Sequence, residues 1–387
     1  MKEKLTICIL EIGKIVLNII YMFLKLLPIN ENKVTLLSRQ ANTPSIDYEL
    51  LTNELISRNK KTVVLCKKIE SGILKKISYC IYILKCMYHI ATSKACIVDG
   101  YFIPISILKH KKKLKIIQIW HALGAIKKFG YDVINRKEGS NFKIARIMKM
   151  HKNYDYVTSA SEITKKIYEK SFGIPEERIV KIGMPRIDYI LDEKDFKQEY
   201  IKDYPQAKGK KIILYVPTFR KEKTSNFQEI IKCIDDANYN LIIRLHPIEQ
   251  TRVDAKYTVN DKYLTIDLIK IADYIITDYS AVAFEAALLD KPIFFYLYDK
   301  KEYEVNRGLN INIDKELPSF TFYNFEDIIN AINNIEYNIN EIIKFKEKYI
   351  ETRDKNNTKR ICDLIENRLG AELHDKEESK STINGIF

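Results

Sequence analysis

The stretch Ile271–Gly308, IADYIITDYSAVAFEAALLDKPIFFYLYDKKEYEVNRG, carries the decisive pattern of this chain. Tyr274–Thr277 is a short β-branched apolar run, Asp278–Ser280 a polar turn, and Ala281–Leu289 a segment of good helix formers. That order predicts a strand, a turn and a helix N-terminus. Free N–H groups and the positive end of a helix dipole favour phosphate there, and Ser280 falls where an N-cap hydroxyl would point at it. Taken alone, the segment reads equally well as an ordinary capped helix in an α/β protein.

Four further motifs repeat the pattern. Ile116–Gly130 (IIQIWHALGAIKKFG) runs an apolar strand into the only Trp, then His121, a Gly and paired lysines; Ile182–Asp188 reads IGMPRID, Ile212–Arg220 reads IILYVPTFR, and Leu241–Pro247 reads LIIRLHP. In each, a β-branched run ends in polar or basic residues, as expected for open α/β sheets that bind ligands at the carboxyl ends of their strands. With these five motifs in this order, the chain resembles the CDP-glycerol glycerophosphotransferase family of teichoic-acid synthesis. The resemblance runs from about Lys33 to about Ile361. The family's Trp-His-Gly stands here as Trp120-His121-Ala122, and Ala281 replaces a second Ser. Its Pro-Arg-Asn-Asp appears as Pro185-Arg186-Ile187-Asp188 and its Pro-Thr-Trp-Arg as Pro217-Thr218-Phe219-Arg220. These departures leave the polyol open, with ribitol phosphate or another activated polyol or sugar as alternatives to glycerol phosphate.

The 387 residues suffice for two units of ordinary size, and 46% hydrophobic with 30% charged content is that of a folded protein. Seven Cys residues lack C-x-x-C or metal-ligand spacing, which implies reduced thiols, a cytosolic setting and no metal site. A net charge of +13 asks for an anionic partner: nucleic acid, a membrane surface or phosphate-bearing substrates. Nucleic acid is set aside, since no nucleic-acid-binding signature accompanies the charge.

From Lys33 onward, short apolar runs alternate with longer amphipathic ones, which predicts mostly parallel sheets covered on both faces. The first series runs through Val34–Leu37, Lys61–Leu65, Ala95–Val98, Leu114–Ile119, Tyr156–Ser159 and Ile179–Ile182. The charged segment Asp192–Lys211 reads as a linker. The second series has strands at Ile212–Val216, Leu241–Leu245, Tyr274–Thr277 and Ile293–Tyr296. The expected organisation is a Rossmann-like acceptor-side domain over 30–195, a Rossmann-like CDP-donor-binding domain over 205–369, and a polar tail over 370–387. Two such halves with a cleft between them describe a GT-B-like α/β fold, which the resemblance also implies.

Residues 1–29 form a further unit. Lys4, Glu11, Lys14, Asn18 and Lys25 fall within a sector of about 100° of a helix, leaving the rest apolar. Such a helix is expected to lie in the membrane interface with its basic residues near anionic head groups. A span would bury Glu11 and Lys14 at about 2.5–3.5 kcal/mol each, and no signal-peptide cleavage pattern follows. Packing on the protein's own core is the alternative. Ile73–Ile90 is a second apolar stretch with a basic fringe, either an extension of that surface or a crossover helix.

The resemblance implies transfer of a polyol phosphate, glycerol phosphate first, from a CDP donor to a lipid-linked polyol-phosphate or saccharide acceptor, releasing CMP. The reaction needs positioning, charge stabilisation and a base, without a cofactor. His121 is the expected base, and His246 the hydrogen-bond donor or acid at the transferring phosphate beside a clamp from Arg244; the two histidines' roles are exchangeable. Arg186, Arg220 and Arg307 are expected to grip phosphate, with surface ion pairs as the plain alternative. Thr218 and Ser280 would donate to the diphosphate, Asp278 orient its loop, and Glu285 reach ribose or polyol hydroxyls. Asp188 would orient a catalytic or acceptor group, and Lys127 and Lys128 attract the acceptor. The expected enzyme is peripheral, on the cytoplasmic face of a bacterial membrane, with homo-oligomers possible. Its rivals are a CDP-ribitol ribitolphosphotransferase, a GT-B glycosyltransferase using a nucleotide sugar, and a non-catalytic binding protein for anionic polymer.

Overall fold

The computed structural model describes residues 2–220, 225–246, 248–249 and 251–368. The polar tail over 370–387 and Pro247 lie outside the described residues. Eleven strands form two sheets within that range. The first holds β1 (Asn30–Ser38), β2 (Lys61–Cys66), β3 (Ser93–Val98), β4 (Lys115–Gln118), β5 (Tyr156–Ser159) and β6 (Ile179–Lys181), in the order β2-β1-β3-β4-β5-β6. The second holds β7 (Lys211–Val216), β8 (Tyr239–Ile243), β9 (Tyr274–Thr277), β10 (Ile293–Tyr296) and β11 (Thr321–Phe322), in the order β11-β10-β9-β7-β8. Every pairing is parallel.

Parallel strands need crossovers, and these put helices on both faces of each sheet. The first sheet shows this in its alternation: Leu37, Cys96, Val98 and Ile116 join one core, while Val34, Leu36, Ala95, Ile97 and Ile117 join another on the opposite face. The strand order reverses between β1 and β3 and again between β7 and β9, and such switch points open a crevice at the carboxyl ends.

Two expected boundaries are corrected. The Asp192–Lys211 linker is instead packed: Phe196, Tyr200 and Ala207 are buried in the core of the second sheet, and the Tyr200 hydroxyl accepts from Asn240 Nδ2 at 2.9 Å. The unit expected to end at 369 does not keep its last helix. Asn357–Ile365 returns to the first sheet, where Ile361, Cys362, Leu364 and Ile365 pack with Val34, Leu36 and Tyr48. Its apolar face matches the uncovered side of that sheet, and burial there removes both from water.

The Lys2–Leu24 helix is long and apolar enough to cross a membrane. Its polar stripe, expected at head groups, is turned toward the protein instead. Lys14 Nζ pairs with Glu11 at 2.5 Å and donates to the carbonyl of Ile147 at 3.4 Å. Asn18 Nδ2 donates to the carbonyl of Ile107 at 3.2 Å, and the Tyr21 hydroxyl bonds His110 Nδ1 at 3.0 Å. The apolar side therefore faces outward, with Leu5, Ile9, Ile12, Val16, Ile19 and Phe23 exposed. Ile73–Ala91 fills one of its two expected roles, that of a crossover helix. It is the crossover from β2 to β3, packed through Ile83, Cys86, Met87 and Ile90, and its outer stripe of Ile73, Leu74, Ile77, Ile81 and Leu84 is exposed. The two helices share one core through Leu17, Ile20 and Leu24, so their apolar outer faces stand side by side.

Candidate functional site

Residues following strands of both sheets line one cavity of about 520 Å³. On the first-sheet side the chain leaves β4 through Gln118 and Trp120. Trp120 has φ +60°, the left-handed region that bulky residues avoid, and the surroundings hold it there. Gln118 Oε1 accepts from the Trp120 N–H at 2.9 Å, and the indole stacks on Phe129 with centroids 4.6 Å apart. This turn projects His121 into the cavity. Its Nδ1 lies 2.8 Å from the carbonyl oxygen of Asp99, directly after β3. A carbonyl can only accept, so Nδ1 carries the proton and Nε2 presents its lone pair, with no hydrogen bond among the described residues. The residue is exposed at the cavity mouth, and desolvation by the surrounding walls, chiefly, lowers its imidazole pKa to about 4, so the ring is neutral at pH 7.

The same loop then crosses to the second sheet. Leu123 and Ile126 are buried in that sheet's core, and a Cβ on Gly124 would lie 2.5 Å from Phe284 Cζ, so only glycine permits the approach. Lys128 N–H donates to the Gly308 carbonyl at 3.0 Å, and Asn310 N–H to that of Ile126 at 2.7 Å. Arg307 completes the seam: its Nε donates to the Lys128 carbonyl at 2.9 Å, and Nη1 lies 3.6 Å from the Glu138 carboxylate. Arg307 still lines the cavity. Lys127 does too, and its ammonium makes no hydrogen bond or ion pair among the described residues. Burial and then Arg307 lower its pKa to about 8, which leaves it mostly charged at neutral pH. Lys128 is absent from the lining.

On the second-sheet side, Thr218 and Ser280 meet across the switch point between β7 and β9. The Thr218 N–H donates to Asp278 at 2.9 Å, whereas its buried hydroxyl has no partner among the described residues. A buried hydroxyl at a cavity wall without a partner is a place for a ligand acceptor. Ser280 lines the cavity, but the expected N-cap is corrected. The helix spans Val282–Ala287 with Ala281 at the cap position, and the Ser280 oxygen accepts only a long 3.4 Å bond from Val282 N–H. Arg244 and His246, after β8, also face in. Among the described residues Arg244 has only a loose 3.6 Å ion pair, with the exposed Asp261. His246 lies beside Phe219, and burial, Lys127 and Lys68 lower its pKa.

Three residues expected to contact the ligand, Arg186, Arg220 and Glu285, are engaged in ion pairs, and Asp188 and Asp278, expected to orient neighbouring groups, bond to the protein. Arg220 is buried behind the cavity wall, with Nη1 2.7 Å from Asp278, Nε 2.6 Å from Asp299, and its cation over the rings of Tyr279, Tyr298 and Tyr303. Asp278 accordingly orients the loop and does not reach the cavity. Asp188 accepts from the Asn357 and Thr358 N–H groups at 3.1 and 2.8 Å and from both side chains, so it caps the returning Asn357–Ile365 helix. Arg186 and Glu285 line the cavity but bind each other at 2.6 Å, and Arg186 also grips Asp47 through Nε and Nη2 at 3.0 and 2.5 Å. Burial works against the Arg186 charge, yet Asp47 and Glu285 outweigh it and raise its pKa. The triad joins the Ile46–Ser57, Pro185–Ile190 and Val282–Ala287 helices, so it ties one side of the cleft to the other.

Sequence reasoning missed Asp99, whose carbonyl sets the His121 tautomer, and Asp47. Asp99 follows a predicted strand as the other motifs do, and that signal was available. Asp47 looks like an ordinary acidic residue in a first helical turn, without any local sign of its partner. Among the described residues no group of His, Cys, Asp and Glu is arranged to hold a metal.

Residues 19–367 match the family described as CDP-Glycerol:Poly(glycerophosphate) glycerophosphotransferase. The teichoic acid glycerol-phosphate primase of Bacillus subtilis (strain 168) is 35% identical over 358 residues, 88% of this chain and 93% of that protein. The teichoic acid ribitol-phosphate primase of Bacillus spizizenii is 28% identical over 362 residues, 89% of this chain and 93% of the relative. Among solved structures, the wall teichoic acid polymerase TagF superposes with a TM-score of 0.73 at 18% identity, covering 96% of this chain and 99% of that one. That likeness bears on the fold, two parallel sheets in a GT-B-like α/β arrangement. With its five motifs in order and the match extending over nearly its whole length, the chain belongs to the CDP-glycerol:poly(glycerophosphate) glycerophosphotransferase family and is a polyol-phosphate transferase.

Proposed function

We propose that the protein transfers glycerol phosphate from CDP-glycerol to a hydroxyl of a lipid-linked cell-wall acceptor, releasing CMP. The observation that carries this reading is His121, a neutral imidazole with Nδ1–H tied to the Asp99 carbonyl and Nε2 unpaired, in the same cavity as Lys127, Arg244 and the orphan Thr218 hydroxyl. The acceptor oxygen attacks the distal phosphorus of the donor as His121 Nε2 takes its proton. The bond from that phosphorus to the bridging oxygen breaks, and CMP departs with the electron pair. Lys127, Arg244 and Arg307 stabilise charge on the diphosphate, and His246 donates to the transferring phosphate. Thr218 and Ser280 hydrogen-bond the donor, which takes the second-sheet side while the acceptor enters from the first.

Glycerol is favoured over ribitol by the higher identity to the glycerol-phosphate primase, 35% against 28%. The paired apolar faces of Lys2–Leu24 and Ile73–Ala91 support a peripheral place on the cytoplasmic leaflet, since exposed apolar area of this extent needs a cover. The test is incubation with CDP-glycerol, CDP-ribitol and UDP-sugars beside a lipid-linked acceptor, reading the released nucleotide. Acceptor-dependent CMP from CDP-glycerol is expected. UDP release would make the protein a glycosyltransferase, and binding without turnover would make it a polymer-binding protein.

A further inference from the structure

A second cavity, of about 490 Å³, opens on the same carboxyl rim of the first sheet, at its edge strand β2. Lys67, Lys68 and Lys75 line it, with Glu70 as the one carboxylate. The pocket is built: Lys68 N–H donates to Asn42 Oδ1 at 2.9 Å, Lys67 Nζ donates to Ser78 Oγ at 2.7 Å, and Lys75 pairs with Glu70. The Lys68 ammonium has no hydrogen bond or ion pair among the described residues.

Its position relates two features already described. On one side it continues into the exposed apolar stripe of Ile73–Ala91, because Leu74 both lines the pocket and begins that stripe with Ile73 and Ile77. On the other it shares the carboxyl rim of the first sheet with Asp99 and His121, which follow β3 and β4 and stand at the catalytic cleft. Lys68 is close enough to His246 to contribute, after burial and Lys127, to the lowering of its pKa. An excess of ammonium groups between an apolar helix face and a phosphotransfer cleft suits a phosphate attached to a membrane-embedded chain.

We propose that the pocket formed by Lys67, Lys68 and Lys75 seats the phosphate-bearing head group of the membrane-embedded acceptor and directs its distal hydroxyl into the cleft. This rests on the reading given under Proposed function and adds an acceptor subsite to it. Lys68 supplies the uncommitted charge, and Lys67 and Lys75 bound the seat.

The test uses the full chain and two variants, Lys68→Gln and the double variant K67Q/K68Q, with CDP-glycerol as donor. One acceptor is a saccharide on a polyprenyl diphosphate in phosphatidylcholine vesicles, the other the same saccharide on an uncharged alkyl chain. Losing a charge-assisted contact should raise the KM for the diphosphate-linked acceptor about tenfold, with the KM for CDP-glycerol unmoved and a far smaller effect on the uncharged acceptor. Equal effects on both acceptors, or none, would overturn the proposal. Should the unaltered protein release no CMP with either acceptor, the transfer reading fails while flotation still tests the pocket. Retention on vesicles carrying polyprenyl diphosphate, above that on vesicles of equal charge made with phosphatidylglycerol and lost in Lys68→Gln, supports it. Equal retention on the two vesicle types means general attraction to an anionic bilayer and overturns it.

Discussion

The two strand ends β7 and β8 lie next to each other in one sheet, and each delivers an arginine, with opposite results. Arg220, after β7, is buried between Asp278 and Asp299 and under three tyrosine rings. Arg244, after β8, stands in the cavity with only a loose partner at 3.6 Å among the described residues. The difference is where the counter-charges sit. Two carboxylates arriving from the β9 and β10 loops, with the Thr218 carbonyl, take four of the five guanidinium N–H groups of Arg220, while among the described residues Arg244 pairs with Asp261 alone. The same contrast separates Asp188, which caps a helix, from His121, which keeps an open nitrogen.

Four measurements press on that contrast. The largest effect is expected at His121, where replacement by Ala should reduce transfer about 10²- to 10⁴-fold with the fold retained. Its depressed pKa sets the pH dependence: the neutral base form persists as pH falls until about 4, so the acid limb of kcat/KM should lie below the ordinary histidine range. A limb near pH 6.5 would assign the base elsewhere or leave His121 more solvated than its surroundings imply.

Arg220→Leu against Arg244→Ala is the direct comparison. The first leaves two buried carboxylates without their cation and should cost about 3–5 kcal/mol of stability in denaturant unfolding. The second should leave stability within about 0.5 kcal/mol and lower kcat/KM for the CDP donor by about one to two orders of magnitude. Similar behaviour of the two variants would erase the distinction drawn here.

Asp188→Ala should destabilise by about 1–2 kcal/mol through loss of the cap on Asn357–Ile365, with kcat unchanged in the folded fraction. A drop in kcat at full folding would return Asp188 to the catalytic set. The smallest effect belongs to Thr218→Val. Its hydroxyl has no partner among the described residues, so stability should hold, while the KM for the donor rises about fivefold, the value of one neutral hydrogen bond. An unmoved KM would mean that the donor does not reach this hydroxyl.

These contrasts also mark how far the site could be read in advance. The cleft was legible because its motifs are strand ends, and the strand signal is local: β-branched runs such as Ile212–Val216 and Tyr274–Thr277 lie within strands of the second sheet. The cavity residues His121, Thr218, Arg244, His246 and Ser280 follow from that placement. What failed was the role of charge. Arg186, Arg220 and Arg244 are alike in local context, each a cation just past a strand or turn. Their fates depend on carboxylates 139 residues away for Arg186 and 58 and 79 for Arg220.

The N-terminal helix makes the same point from the other side. Its periodicity correctly separated a polar stripe from an apolar face, because 3.6-residue spacing is a property of the chain itself. Which side met the protein was decided by partners from elsewhere in the chain: the core that takes Leu17, Ile20, Tyr21 and Leu24, and the carbonyls of Ile107 and Ile147 and the ring of His110, which bond Asn18, Lys14 and Tyr21. The sequence by itself thus determined the alternation of strands and helices, the strand-end positions of the chemistry and the amphipathic character of the first helix, all properties of neighbours along the chain. Only the tertiary structure decided which cations face the cleft, which hold its walls, and which side of the helix looks outward. Those outcomes turn on counter-charges and hydrogen-bond partners that folding alone brings within reach.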